Sequence, residues 1–349
     1  MKSRHLLTML LLALMPLAAS ACDFEAGGLF YSRLSGNTVE VSEVPPGSNR
    51  YAGDVQIPEV VRFDGTEYVV TRIGDKSFQG CDITLVSLPS TLTAIGDRAF
   101  EFCASLTSLS LPEGLKSIGN HAFQGCGIRS VVIPSTVESI GSIPFSQCGT
   151  LLVPEDGHVG SMGLEHVVVA EGNTRYDSRN GCDAIIETAT NKLIQGTNNS
   201  LIPDGTETIA DSAFYCCKRM TELHLPASIK EYGERCFWLC QSVKHVYNYN
   251  PVPVELNIPV FLFRSEWELS ATLLVPQGSV DAYKNVKPWG SFSEIVVMDP
   301  TSINGQQAVV AGEEMHFSAD GKRLQAPVRG LNIVRMSDDE KGRDEVSAE

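Results

Sequence analysis

IGDKSFQGC (73–81), IGDRAFEFC (95–103), IGNHAFQGC (118–126) and IGSIPFSQC (140–148) repeat one nine-residue template, which returns in IADSAFYCC (209–217) and YGERCFWLC (232–240). Their first residues lie 22, 23, 22, 69 and 23 positions apart, and the long step equals three periods of 23. The register therefore persists where the sequence fades. A period of 22–23 with Phe and Cys at fixed phases marks a stack of small coils, none of which can bury its own apolar face alone.

Outward from the template, each cysteine is followed by a second block: ITLVSLP (83–89), LTSLSLP (106–112), IRSVVIP (128–134), MTELHLP (220–226) and VKHVYN (243–248). Each reads as one short strand with its first, fourth and sixth residues inward. Pro89, Pro112, Pro134 and Pro226 end it, because proline donates no ladder hydrogen bond. Stacked in register, the strands predict a parallel sheet along a mainly β solenoid. The other half-turn, as in LKSIGNHAF (115–123), supplies a second inward set, and Phe78, Phe100, Phe123, Phe145, Phe214 and Phe237 are expected to stack as one aromatic column.

Cys81, Cys103, Cys126, Cys148, Cys217 and Cys240 share one phase and form a ladder. A secreted chain favours disulfides, and coils about 4.8 Å apart bring α-carbons within bridging range. In-register side chains point the same way, however, so buried thiols filling the core are expected, with disulfides the alternative. Cys182, Cys216 and Cys236 lie off the ladder; the last two stand one coil apart and are candidates to pair. Cys236, Cys240 and His245 look superficially like a zinc set, but they lack a CxxC pair and Cys240 is a core-phase residue.

Residues 1–21 read as a signal peptide: Lys2 and Arg4 precede an apolar stretch at 6–18 and the small residues Ala19, Ser20 and Ala21. Removing them lowers the formal charge from −15 to −17 and leaves 328 of 349 residues. Such an acidic chain is a poor partner for nucleic acid. Ala19-Ser20-Ala21-Cys22 also reads as a loose lipobox that would acylate Cys22, although Ala19 stands where a good lipobox has Leu.

IGxxAFxxC followed by LxxLxLP resembles the BspA-like leucine-rich repeat family of bacterial surface proteins, also called the Treponema pallidum type, over about residues 23–298. The resemblance implies a right-handed leucine-rich-repeat solenoid at 71–250 behind a β-rich N-terminal cap at 22–70. It further implies a hairpin insertion near 175–203, a C-terminal cap at 251–299 and a short β sorting-like tail at 300–349. In the insertion, strands are expected at 184–187 and 192–195 about a turn at 189–191. Asp177, Asn180 and Asp183 offer oxygens to Ca²⁺ but lack an EF-hand spacing, so a solvated loop is expected. Trp289 and Phe292 are expected to pack beneath the closing cap, which covers apolar faces and strand edges that an open end would expose. HFSADGKRLQAPVRGLNIVRMSD (316–338) resembles surface-attachment modules of secreted Bacteroidetes proteins. The acidic DDEKGRDEVSAE (338–349) departs from that pattern and reads as disordered.

The outward strand positions are Thr84, Leu85, Ser87; Thr107, Ser108, Ser110; Arg129, Ser130, Val132; Thr221, Glu222, His224; and Lys244, His245, Tyr247. The first two rows are small and uncharged, so ligand binding is assigned to Arg129, Glu222, His224, Lys244, His245 and Tyr247. GxSxG, HExxH, P-loop and GxGxxG motifs are absent, one of the seven His leaves with the leader, and most Cys hold core phases. A non-catalytic binder without cofactor is expected. The family resemblance implies adhesion to host matrix proteins or partner bacteria; glycan capture by a lipid-anchored surface protein is the alternative. Secretion without a lipid anchor is the leading expectation for the leader. Wild-type protein and Cys22→Ala should then partition alike into the soluble fraction, whereas a membrane-bound fraction that disappears in Cys22→Ala would establish acylation.

Overall fold

A computed structural model describes residues 22–149, 151–152, 160–262 and 269–299 and, beyond these, four short strands between 315 and 348. The leader read at 1–21 lies outside the described residues. Among the described residues the chain order is almost entirely β, with one short α-helix, Val280–Lys284, near the C-terminal end of the stack and two single 3-10 turns.

The coils stack through three sets of backbone hydrogen bonds. The first joins the Ile-Gly segments: Thr66–Ile73, Ala94–Ile95, Ser117–Ile118 and Ser139–Ile140 pair parallel, pairing Ile73 with Ile95, Ile95 with Ile118, and Ile118 with Ile140. Glycine is required in this segment. A Cβ on Gly96 would fall 2.7 Å from the Asp75 nitrogen, and one on Gly119 would fall 2.5 Å from the Gly96 carbonyl carbon. The next residue of each coil caps its successor: Asp75 Oδ1 accepts from the Asp97 N–H (3.0 Å), Asp97 Oδ1 from Asn120 (2.7 Å) and Asn120 Oδ1 from Ser142 (2.9 Å).

The second set lies at the Phe turn. Alternate N–H groups of one coil donate to the next, as Phe78 to Ala99 (2.8 Å), Phe100 to Ala122 (2.7 Å) and Phe102 to Gln124 (2.7 Å). Residue four of each template copy turns the chain there at positive φ, from 44° to 57° in Lys76, Arg98, His121, Ile143, Ser212 and Arg235.

The third set is the ladder of LxxLxLP strands, which departs from the single sheet expected. It forms in three pieces: Ala52–Gln56 with Asp82–Ser87; Ser130–Ile133 with His166–Val169; and Glu222–Leu225, His245–Asn248, Leu269–Val275 and Phe292–Val297 in one parallel sheet of four. The block at 106–112 makes no ladder pairing. Leu106 and Leu109 are nonetheless buried, because the coil is already clamped along its other two sides. Between the second and third pieces the hairpin intervenes, with Ile185–Glu187 antiparallel to Lys192–Gln195 and the latter parallel to Thr208–Ile209.

The aromatic column likewise forms in two parts. Phe78, Phe100, Phe123 and Phe145 stack with ring centroids 4.9–5.4 Å apart and planes within 5°. Tyr51 of the cap continues the stack at one end. Beyond Phe145 the phase is held by Gly196, whose N–H donates to Ala213 as each Phe does to its own neighbour. The Phe214 ring fills the space a side chain there would take. From Phe214 the stack resumes through Phe237 to Phe261. The apolar interior accordingly divides into two clusters that meet at the 182–186 segment.

No cysteine among the described residues is in a disulfide. The ladder thiols do more than fill space: Cys103 donates its S–H to the Phe78 carbonyl (3.0 Å), Cys126 to Phe100 (3.1 Å), Cys148 to Phe123 (3.0 Å) and Cys240 to Phe214 (3.2 Å). Burial pushes the Cys148 thiol up to about 12 and raises Cys126 and Cys217 as well, which keeps the donating proton in place. At the C-terminal end Trp289 is buried as expected. Its Nε1 donates to Val254 (2.7 Å), with Tyr232 and Tyr283 edge-on to the ring. In the tail, Met315–Ser318, Arg323–Leu324, Leu331–Arg335 and Glu345–Ala348 form one antiparallel sheet, the last strand falling in the stretch whose composition suggested disorder.

Phe123 packs between two rings with no exposure, so Phe123→Ala should lower unfolding free energy by about 3–5 kcal/mol in urea titration. Iodoacetamide should label the ladder cysteines only after denaturation, without reductant, as read by mass spectrometry.

Candidate functional site on the C-terminal sheet

In the four-stranded sheet, Leu223, Val246 and Leu273 are buried, so their strand neighbours point outward. Pairing places Glu222 beside His245, His245 beside Thr272 and Thr272 beside Glu294, which makes one polar row. Two residues along, His224, Tyr247, Leu274 and Val296 make a second row, half-buried and largely apolar.

Parallel in-register strands orient neighbouring side chains alike, and the rings of His224 and Tyr247 follow that rule. Their centroids lie 4.4 Å apart with planes 1° from parallel. Tyr249, two residues beyond Tyr247, donates its hydroxyl to His224 Nδ1 (2.8 Å). The Glu222 carboxylate lies 3.6 Å from His224 Nε2 and 3.9 Å from His245 Nδ1. Thr272 donates to Glu294 Oε2 (3.2 Å).

Burial lowers the His224 pKa, and the neighbouring Glu222 only partly opposes this. The ring is therefore neutral at pH 7, with Nδ1 accepting from Tyr249 and the Nε2 proton facing Glu222. Burial also pushes the Tyr249 hydroxyl up to about 12, with Tyr247, Asp204 and Glu222 adding to the rise, so it remains a donor.

The structure thus gathers Glu222, His224, His245 and Tyr247, with Lys244 exposed at the start of the same strand. Arg129 stands apart. It precedes Ser130–Ile133, which pairs with His166–Val169 in a separate sheet, and the 163–200 segment intervenes. Ser130, read as outward and open, is only 8% exposed; it sits beside His166, whose Nδ1 faces Asp183 at 3.1 Å. Asp177 is taken up by the Arg179 guanidinium at 2.7–2.8 Å. Cys236 and Cys240 are buried in the core while His245 faces out, so those three do not converge.

Tyr249, Thr272, Leu274, Glu294 and Val296 were not assigned to the site by the sequence reading. ATLLVP (271–276) carries the signal that could have found two of them, since it ends in proline like the repeat strands and alternates in the same way.

The model of the BspA type leucine-rich repeat region matches six copies, over residues 67–152 and 185–267. The chain carries a BspA-type leucine-rich repeat region. A leucine-rich repeat protein from Bacteroides ovatus is similar at 22% identity over 79% of this chain and 76% of that one, with a TM-score of 0.43. A leucine-rich cell surface protein from Faecalibacterium prausnitzii is 16% identical over 83% and 98% of the two chains, TM-score 0.37. The pneumococcal vaccine antigen PcpA is 16% identical over 80% and 99%, TM-score 0.36. No curated protein matches the chain. BspA-type repeat proteins are typically surface-associated, and no helix among the described residues is long and apolar enough to cross a membrane.

A histidine with a lowered folded pKa contributes stability that is present above its unfolded value, about 6.5, and lost as pH falls through the folded value. NMR titration should place the His224 midpoint below 6.5. Tyr249→Phe, which removes the bond to the neutral ring, should move that midpoint upward.

Proposed function

We propose that this BspA-type chain is a non-catalytic cell-surface binding protein, and that its C-terminal sheet attaches to a protein on a host matrix or a partner bacterium. The observation that carries this reading is the ring geometry. One face of Tyr247 is covered by His224 at 4.4 Å and the next strand places Leu274 on the opposite side. The rings accordingly offer edges and polar tips to solvent. A sugar needs an open ring face to stack on, whereas a protein surface docks onto mixed rows of apolar, carboxylate and imidazole groups.

Three inter-strand steps of about 4.8 Å make the face roughly 14 Å across, with alternating rows that suit a strand or loop laid over them. Exposed Lys244, Glu222 and Glu294 supply charges of both signs at the rim. Such charges govern association rate and selectivity more than affinity. Surface display through secretion, with or without acylation at Cys22, fits this role.

The mature chain should bind one or more members of a matrix-protein panel in biolayer interferometry and leave a glycan array unlabelled. Tyr247→Ala should weaken the protein interaction about tenfold or more, as expected for an aromatic anchor. Undiminished attachment by a folded chain with His224, His245 and Tyr247 all changed to alanine would remove this face from the interaction. Saturable array signal in place of protein binding would favour the glycan-capture reading.

A further inference from the structure

The opposite end of the stack carries a second surface with its own chemistry. Ala52–Gln56 is the first strand of the LxxLxLP side, and among the described residues it pairs with Asp82–Ser87 alone. Its other edge borders a groove of about 600 Å³, walled across the gap by the turn of the first cap hairpin at Gly27, Gly28 and Leu29. At that turn the wall carries no side chains, because the two adjacent glycines form it at φ 59° and 79°.

Hydrogen bonding fixes which groups face the groove. Ile57 donates its N–H to Ser87 (3.1 Å), on the paired side. Successive residues of a strand alternate between its two edges. Gln56 and Asp54 therefore turn their N–H and C=O toward the groove, and both residues line it. A row of main-chain donors and acceptors beside open space is what an added strand requires.

Charge selects the occupant. Glu25 and Asp54 line the groove, while the one cation there, Arg50, directs its guanidinium to the Gly80 carbonyl (3.0 Å) and so toward the first coil. Asp54 Oδ1 accepts from the neutral Thr84 hydroxyl (2.7 Å), which leaves its charge uncompensated, and no salt bridge to Asp54 is found among the described residues. We infer that the Ala52–Gln56 edge takes up an extended, lysine- or arginine-bearing peptide segment of a partner protein as an added β-strand. The five-residue edge, at about 3.3 Å per residue, matches a segment of about five residues. Main-chain hydrogen bonds would supply affinity, and basic side chains at alternate positions would meet Glu25 and Asp54. This site is independent of the C-terminal face.

The test uses the mature chain and a fluorescein-labelled Thr-Lys-Val-Lys-Thr peptide, read by fluorescence anisotropy. Saturable binding is expected, with about tenfold or greater weakening when both lysines are replaced by glutamate. Two analogues N-methylated at alternate amides should differ, one binding and one not, since only one edge of an added strand meets the protein. Gln56→Pro removes a donor that faces the groove and leaves the Ile57 bond intact. It should weaken the lysine peptide about tenfold or more without lowering the thermal midpoint. If that variant is unstable, Glu25→Gln with Asp54→Asn tests the charge contribution in its place, with several-fold weakening expected. Absence of saturable binding up to about 1 mM, equal binding of the two methylated analogues, or unchanged binding by the folded variant would each overturn the proposal. So would concentration-dependent dimerisation abolished by Gln56→Pro, which would give the edge to a second copy of the chain.

Discussion

The structure depends on how closely one coil can lie on the next. That distance is set at the Ile-Gly segments, where a methyl group on Gly96, Gly119 or Gly141 would strike the preceding backbone at 2.5–2.8 Å. At that separation phenylalanine rings of successive coils touch, the side-chain oxygens of Asp75, Asp97 and Asn120 reach the next main-chain N–H, and the thiols of Cys103, Cys126, Cys148 and Cys240 reach the carbonyl one coil back. None of these contacts is strong alone. Their repetition at a fixed rise makes them additive along the chain, as expected where stability is a sum of nearest-neighbour interfaces.

The same spacing builds both candidate recognition surfaces. On the C-terminal sheet it sets His224 and Tyr247 ring to ring and turns their edges outward. At the N-terminal end the stacking direction leaves one strand with a single neighbour, and the cap hairpin stands back from it across a groove. One surface presents side chains and the other presents main chain, so they suit different partners. Neither draws on the buried cysteines, which stay inside the core away from both surfaces.

Much of this was readable from residue order. The period located six phenylalanines of the column, though not Phe261, and every ladder cysteine, and the alternation of LxxLxLP separated Leu223 and Val246 from His224 and Tyr247 correctly. Three features were not readable. The Asp75, Asp97 and Asn120 series recurs in phase, but its role depends on where the next coil's N–H falls, which only the stacked structure fixes. The separation of Arg129 from the other site residues follows from the 163–200 segment, whose sequence keeps the count of the repeat while abandoning its pattern. Ser130 alternates outward as read, yet its neighbour across the ladder is a histidine held by Asp183, and solvent is excluded there. Period predicts what a coil does with its own residues, and it is silent where the neighbouring coil is of another kind.

Gly196 carries a mechanical implication. Four phenylalanines on one side and three on the other form two apolar bodies, joined where a glycine replaces a ring and the hairpin replaces a coil. Tension applied between the ends of such a stack passes through each junction in series, so extension begins at the poorest one. A molecule holding a partner at one end and anchored at the other would part at this seam first, lengthening by the residues of the hairpin while both halves stay folded and both grips hold.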